Sequence, residues 1–375
     1  MNNDKMLNVW MENRKVGTLA LTANHLAAFE YDSDWLSDGF SISPLSLPLR
    51  KGVFIPKNYD PFEGLFGVFS DSLPDGWGRL LVDRLLARAK INPAEVDSIS
   101  RLAIVGTTGM GALTYQPERR MDAVWSDMSL DEIALECEKM FATEESDNLD
   151  VLFQMGGSSG GARPKIFYRI DGEEWIVKFP SSADRKNIGE QEYDYSVCAK
   201  KCGIEMPETR LLPSKRNTGY FAVRRFDRER NARIHMVSVS GLLETSHRIP
   251  NLDYHILMQL TMKLTQSYEE IEKLYRQTCF NVFAHNRDDH SKNFSFLYKD
   301  GKWRLSPAYD LTYSNSIGGE HATTVNGNGS NPDIEDLLAV AKRVKFDEKK
   351  ARRIAGEVRE IVGVDLKKYL RTFGN

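Results

Sequence analysis

The chain has few cysteines, no long apolar run and almost no excess of charge of either sign. Cys137, Cys198, Cys202 and Cys279 are its four cysteines in 375 residues. Cys198 and Cys202 share a predicted helix, but no second pair stands at metal-ligand spacing. A disulfide framework and a zinc site are therefore not expected, and reduced thiols in a cytoplasmic protein fit the count. No apolar run approaches the roughly 18 residues that a membrane helix requires, so no membrane partner is expected. The start, Met1-Asn2-Asn3-Asp4-Lys5, lacks the basic residues and apolar stretch of a signal peptide. A formal charge of −3 argues against a global field for nucleic acid or anionic lipid. There is no low-complexity tract and no internal repeat. What remains, 41% hydrophobic and 27% charged, is the composition of a globular protein long enough for two or three domains.

The pattern changes along the chain. Residues 7–31 read as a strand meander. Asp75 and Gly76 open a helix with Trp77, Leu80, Leu81, Leu85 and Leu86 on its apolar side, and Pro93 behind Asn92 suits the start of another. With the strand Ala112–Tyr115, residues 1–118 form an α+β region, and 119–150 an acidic helical connector. Paired strands dominate 151–230. Ile166–Ile170 and Glu173–Phe179 flank Asp171-Gly172, the strongest short hairpin signal. A helix near Glu190–Cys202 and strands at Thr209–Leu212 and Gly219–Phe226 follow. Residues 231–375 turn helical, with Ser267 and Glu270 spaced as a capping box.

The sharpest polar motif is Asn286-Arg287-Asp288-Asp289-His290-Ser291-Lys292-Asn293. It matches the kinase catalytic loop H-R-D-x-x-x-x-N, with Asn in place of the first His. Phosphoryl transfer requires a carboxylate to orient the attacking hydroxyl and oxygen ligands for magnesium. Asp288 can supply the first and Asn293 part of the second. A strand pair turned at Asp300-Gly301 then leads to Ser306-Pro307-Ala308-Tyr309-Asp310, where Asp310 stands in the place of the magnesium-binding aspartate of D-F-G. The bland alternative is a solvated polar loop, and a lone D-x-x-x-x-N string would not exclude it.

Upstream signals occur in the same order as in kinases. Gly156-Gly157-Ser158-Ser159-Gly160-Gly161 can bring backbone amides close to phosphates, although no G-x-G-x-x-G is present and a flexible linker reads equally well. Lys178 ends an apolar strand, as the phosphate-pairing strand lysine does; a surface lysine would look the same. Glu192 or Glu190 on the next helix can pair with it. Phe221–Phe226 can offer an adenine edge or be a plain edge strand. It is the order of these signals that favours phosphoryl transfer.

Gly157–Lys165, Arg225-Phe226-Asp227-Arg228, Asp288–Asn293, Pro307–Asp310 and Leu73-Pro74-Asp75-Gly76-Trp77 together resemble the HipA toxin kinases, over nearly the whole chain. The resemblance implies an α+β, protein-kinase-like bilobal fold, with a small sheet-rich lobe, a helical C-lobe and an N-terminal α+β subdomain. It implies Asp288 as general base, Asn293 and Asp310 as Mg2+ ligands, and His290 and Lys292 on phosphates, with Ser291 and Tyr309 in the same nucleotide site. Gly160, Gly161, Ala162, Arg163, Pro164 and Lys165 would form the phosphate loop, Lys178 would contact ATP, and Arg224, Arg225 and Phe226 would line the adenine side. Ser158 or its neighbour Ser159 would be autophosphorylated, silencing the enzyme through about two added negative charges. The implied partners are a helix-turn-helix antitoxin of HipB type, operator DNA mainly through that antitoxin, and a translation protein such as an aminoacyl-tRNA synthetase. Asp289 departs from the glycine frequent at its position. Two rivals stay open: a small-molecule kinase of aminoglycoside or choline type, and a non-enzymatic co-repressor. The basic run Lys342–Arg353 reads either as a phosphate contact or as the solvated face of a helix.

Overall fold

The computed structural model describes residues 5–119, 128–142, 146, 148–230, 232–316 and 318–370. Two compact units result, neither continuous in sequence: residues 1–186 with 212–245, and 187–211 with 246–375.

In the first unit the expected meander is present as Met6–Met11, Arg14–Leu21 and Ala27–Tyr31. It lies in a five-stranded antiparallel sheet whose order is 53–54, 27–31, 14–21, 6–11, 113–116. Glu12, at φ 52, makes the tight turn that sets Met11 opposite Arg14. The Gly76–Arg88 helix buries Trp77, Leu81, Val82, Leu85 and Leu86. Pro93 begins a single 3-10 turn capped by Asn92, and the α-helix starts only at Ser98, behind the stronger cap of Asp97. The hairpin Lys165–Ile170 with Glu173–Lys178 forms in the expected register, Ile170 opposite Glu173. Asp171 (φ 53) and Gly172 (φ 81) carry the left-handed pair that a type I′ turn demands.

The core of this unit joins segments distant in sequence. Trp77, Leu81 and Leu85 share one buried cluster with Leu152, Ile166, Trp175, Val177, Tyr220 and Ala222. The N-terminal helix thus covers the small sheet. Of the expected connector, Leu130–Phe141 and Leu149–Gly156 are helices and add Ile133, Cys137 and Leu152 to the same cluster, while 120–127 lies outside the described residues.

The second unit is mainly helical. Tyr254–Thr265, Tyr268–Phe283, Ile334–Arg343 and Glu348–Asp365 bury Leu257, Ile271, Leu274, Leu337, Ile354 and Val358. The Ile188–Lys201 helix belongs here, since the Tyr195 hydroxyl donates to the Ala284 carbonyl at 3.0 Å and its ring packs against Phe280 and Tyr369. The capping box at Ser267 is only half made. Ser267 accepts from the Glu270 amide at 3.4 Å, but the buried Glu270 carboxylate turns away to the Leu305 amide (2.8 Å) and Lys273 (2.9 Å). In the basic run, Lys350 pairs with Glu272, Arg352 with Glu335 and Arg353 with Glu357, the behaviour of a solvated helix face. Among the described residues no helix is long and apolar enough to cross a membrane.

Candidate active site

The polar motif of the second unit sits where a helix has to stop. Tyr268–Phe283 ends at Ala284, His285 turns left-handed (φ 53), and Asn286 bridges to Ser314. Asn286, which stands in place of the expected His, is buried and donates its side-chain amide to Asn281 at 3.0 Å. The loop is therefore hung from the helix before it.

Two consecutive aspartates then diverge. Asp289 is 1% exposed and accepts from the Tyr254 hydroxyl (2.7 Å), His321 Nδ1 (2.8 Å) and the Thr323 amide (3.2 Å), while its carbonyl accepts from the Thr323 hydroxyl. Burial, reinforced by the Asp289 charge, raises the Tyr254 phenol well above its ordinary range, so it stays a donor. The Asp288 side chain is 60% exposed, with Oδ1 3.8 Å from His290 Nε2. Asn293, five residues on and in the 3-10 turn Ser291–Asn293, returns its Nδ2 to the Asp288 carbonyl at 2.7 Å. Its Oδ1 is thereby oriented as the acceptor end of the amide.

The Tyr309 hydroxyl donates to the Lys292 carbonyl at 2.6 Å and lies 2.6 Å from Ser295 Oγ. Tyr309 therefore fastens the segment before Asp310 to the loop, and its hydroxyl is occupied by that role. Asp310 itself holds φ 53, a left-handed backbone uncommon outside glycine and asparagine or aspartate. His290 packs 5.4 Å from the His247 ring, and Ser291 is buried with its Oγ unpartnered among the described residues. The oxygen donors offered, Asp288, Asn293 Oδ1 and Asp310, are the hard ligands magnesium takes, and such sites use only one or two protein groups. Among the described residues no three His, Cys, Asp or Glu side chains converge on a metal position.

The first unit holds the other predicted residues. Lys165 and Lys178 are cross-strand partners, with Phe221 next in register beyond Lys178. Like charges opposite one another on a sheet are unfavourable unless negative charge lies near. Lys178 Nζ is 5.5 Å over the Phe221 ring, and Lys165 Nζ reaches back to within 2.7 Å of where a Cβ on Gly161 would stand. Arg163 is held by Asp184 through Nε and Nη2, both at 3.2 Å, and the Pro164 carbonyl accepts from the Phe179 amide. Gly160 lies beside Asp75, and Ala162 beside Gly76. Both loop serines are buried: Ser158 Oγ donates to the Thr108 carbonyl at 2.9 Å and Ser159 Oγ to that of Gly156.

On the side expected to face adenine, Arg224 is exposed near Glu173 and Phe226 is half-buried. Arg225, between them in sequence, is buried. Its guanidinium is 2% exposed, stacked on Phe167 and bound to Asp227 at 3.0 and 2.8 Å, so it braces the scaffold. Burial alone would raise the Asp227 carboxyl, but Arg225 and Arg228 hold it down to about 2. Arg228 and Arg233 also bind the carbonyls of Gly109 and Gly111. The glutamates separate too. Glu190 pairs with Lys368 at 3.3 Å, while Glu192 is 3% exposed.

Sequence reasoning missed three groups: the Asp289 hub, the Asp227 cluster and the contact of Asp75–Gly78 with the glycine loop. Asp289 registered only as a departure from the glycine frequent at its position.

Residues 7–116 match the HipA N-terminal domain family, and residues 157–364 the HipA-like C-terminal domain family. Two curated relatives from Sinorhizobium fredii (strain NBRC 101917 / NGR234) are putative kinase Y4dM and putative kinase Y4mE. They are 26% and 25% identical over 82% of this chain, covering 76% and 77% of their own lengths. A chain from the Shewanella oneidensis MR-1 toxin–antitoxin complex of HipA, HipB and operator DNA aligns at TM-score 0.70 and 16% identity. The alignment covers 98% of this chain and 92% of that one. The likeness establishes an α+β, protein-kinase-like fold.

Proposed function

We propose that this chain, which belongs to the HipA family, is an ATP- and magnesium-dependent serine/threonine-protein kinase acting as the toxin of a toxin–antitoxin module. The observation that carries the reading is the contrast between Asp288 and Asp289. One carboxylate is fully buried and held by three donors, which fixes the loop; its neighbour is presented to solvent from that rigid base. A carboxylate so placed can orient a hydroxyl and take its proton, which contributes roughly 10²–10⁴ in rate. The kinase names of the two Sinorhizobium relatives support the reaction class, and the HipA–HipB–DNA complex supports the module.

In this mechanism the glycine loop with Lys165 and Lys178 binds the triphosphate, and His290 and Lys292 meet its phosphates. Asn293 and Asp310 hold magnesium, which when bound neutralises charge on the phosphate oxygens. Asp288 accepts the proton of an acceptor serine as its oxygen bonds to the γ-phosphorus; the bond to the bridging oxygen breaks and ADP leaves. Positioning and electrostatics supply most of the acceleration. The family resemblance points to a translation protein such as an aminoacyl-tRNA synthetase as acceptor, in the cytoplasm. A HipB-type antitoxin is the proposed partner, and a net charge of −3 suits operator contact made mainly through it.

The test is Asp288→Asn, assayed for ATP binding, protein phosphorylation and growth inhibition. Binding should persist while phosphorylation and growth arrest are lost. Undiminished protein phosphorylation by the variant would overturn the assignment, and phosphate appearing only on small molecules would favour the aminoglycoside-type rival.

A further inference from the structure

The start of the Gly76–Arg88 helix is built against the glycine loop through the backbone. Asp75 is the N-cap residue, with extended backbone (φ −120, ψ 177), yet its side chain makes no capping bond to its own helix. Its Oδ1 instead accepts from the Gly161 amide. The carbonyl of the same glycine accepts from the Trp77 amide at 2.9 Å. Both peptide groups of Gly161, a residue at φ +87, are thus taken by residues 75–77.

The fit tolerates no added atoms. A Cβ on Gly76 would overlap the Gly161 carbonyl oxygen, one on Gly78 the Ser159 carbonyl, and one on Gly156 the Lys165 carbonyl. Trp77 Nε1 donates to that Lys165 carbonyl at 3.1 Å, so one residue grips the loop at both ends.

We infer that Asp75 and Trp77 are positioning residues for the nucleotide: they orient the peptides of Gly161 and so set the loop conformation that receives phosphate. The inference rests on the kinase reading above. Asp75 suits this task because a carboxylate accepting from an amide makes a stronger bond than a neutral acceptor. Trp77 contributes through its main chain and ring nitrogen, while its ring anchors the unit's core. The N-terminal region is in this sense part of the nucleotide site.

The experiment uses the full chain with Asp75→Ala and Asp75→Asn. It reads the Kd for ATP with magnesium, kcat and KM for ATP, and hydrogen exchange of residues 157–163 without nucleotide. The expected result is a Kd and KM for ATP raised roughly tenfold in Asp75→Ala with kcat little changed. Loop exchange should be faster, and Asp75→Asn, whose amide oxygen still accepts, should recover most of the affinity. An Asp75→Ala chain that binds ATP as the parent does, or an Asn variant as impaired as Ala, overturns the positioning role and leaves the kinase reading standing. A parent chain that binds no ATP overturns both. Should Asp75→Ala fold poorly, Asp75→Ser, which keeps a helix-capping hydroxyl but a shorter side chain, takes its place: weaker ATP binding with faster loop exchange supports the role, and parental binding refutes it.

Discussion

Tyr254, the first residue of its helix, donates its hydroxyl to Asp289 at 2.7 Å and in turn accepts from Asn281 Nδ2 at 2.9 Å. Asn281 then accepts from Asn286 at 3.0 Å, so a chain of buried hydrogen bonds runs from two helices into the loop that bears Asp288. In a low-dielectric interior each missing partner is costly.

Tyr254→Phe removes the hydroxyl and leaves Asp289 and Asn281 each short of a partner. The expected cost is about 1–3 kcal/mol in urea unfolding. The loop should also lose definition, lowering kcat more than KM for ATP. Unchanged kcat would mean that the network supports the fold without serving the site.

The loop serines are sealed by hydrogen bonds to Thr108 and Gly156, so a phosphoryl group on either cannot be housed where the hydroxyl now lies. About two added negative charges at a nearly buried position would drive the loop outward. A Ser158→Ala, Ser159→Ala double variant should keep ATP binding but lose self-labelling with γ-phosphate. Persistent labelling of that variant, mapped by mass spectrometry, would remove these serines from the proposal.

Glu244 gives a pH dependence. Burial pushes its carboxyl from 4.5 up to about 7, although both oxygens accept from the Gly67 amide at 3.1 Å. The folded state therefore holds a proton that the unfolded chain releases. The stabilisation is fully present below about pH 4.5 and is lost as pH rises through about 7. Glu244→Gln should flatten this decline, read as the difference between urea midpoints of parent and variant from pH 5 to 8. Parallel profiles would refute the assignment.

Glu270 separates two roles that sequence merges. If its chief bond is to the Leu305 amide, Glu270→Ala should cost about 1–3 kcal/mol, and Glu270→Gln, which keeps an acceptor, clearly less. Ser267→Ala removes only a cap, worth about 1 kcal/mol. Equal losses for Ala and Gln at 270 would point to Lys273 as the partner that matters.

How much was legible depended on whether the information was local. The D-G hairpins at 171 and 300 were readable because two residues carry the whole turn. Asp288 and Asn293 were readable because one loop spans both. Contacts between distant segments left no local mark. The buried Arg225 is also held by Glu174 and the Gly109 carbonyl, far from it in sequence, and Glu270 fitted a capping box until Leu305 competed for it. The half-formed box also shows why spacing is a weak witness: Ser267 and Glu270 keep the pattern, but burial of the carboxylate redirects it. The compact units are discontinuous in sequence, because the core of the first joins side chains from Trp77 to Ala222.

That discontinuity has a consequence for synthesis. A chain leaving the ribosome has made Trp77, Leu152 and Trp175 well before Tyr220 and Ala222, which complete the same core. The Ile188–Lys201 helix emerges earlier still than its partners Phe280 and Tyr369, the latter near the far end of the chain. Domains usually fold as units when their last residues appear. A nascent chain halted between residues 187 and 211 has neither unit whole, and the loop bearing Asp288 has yet to be translated.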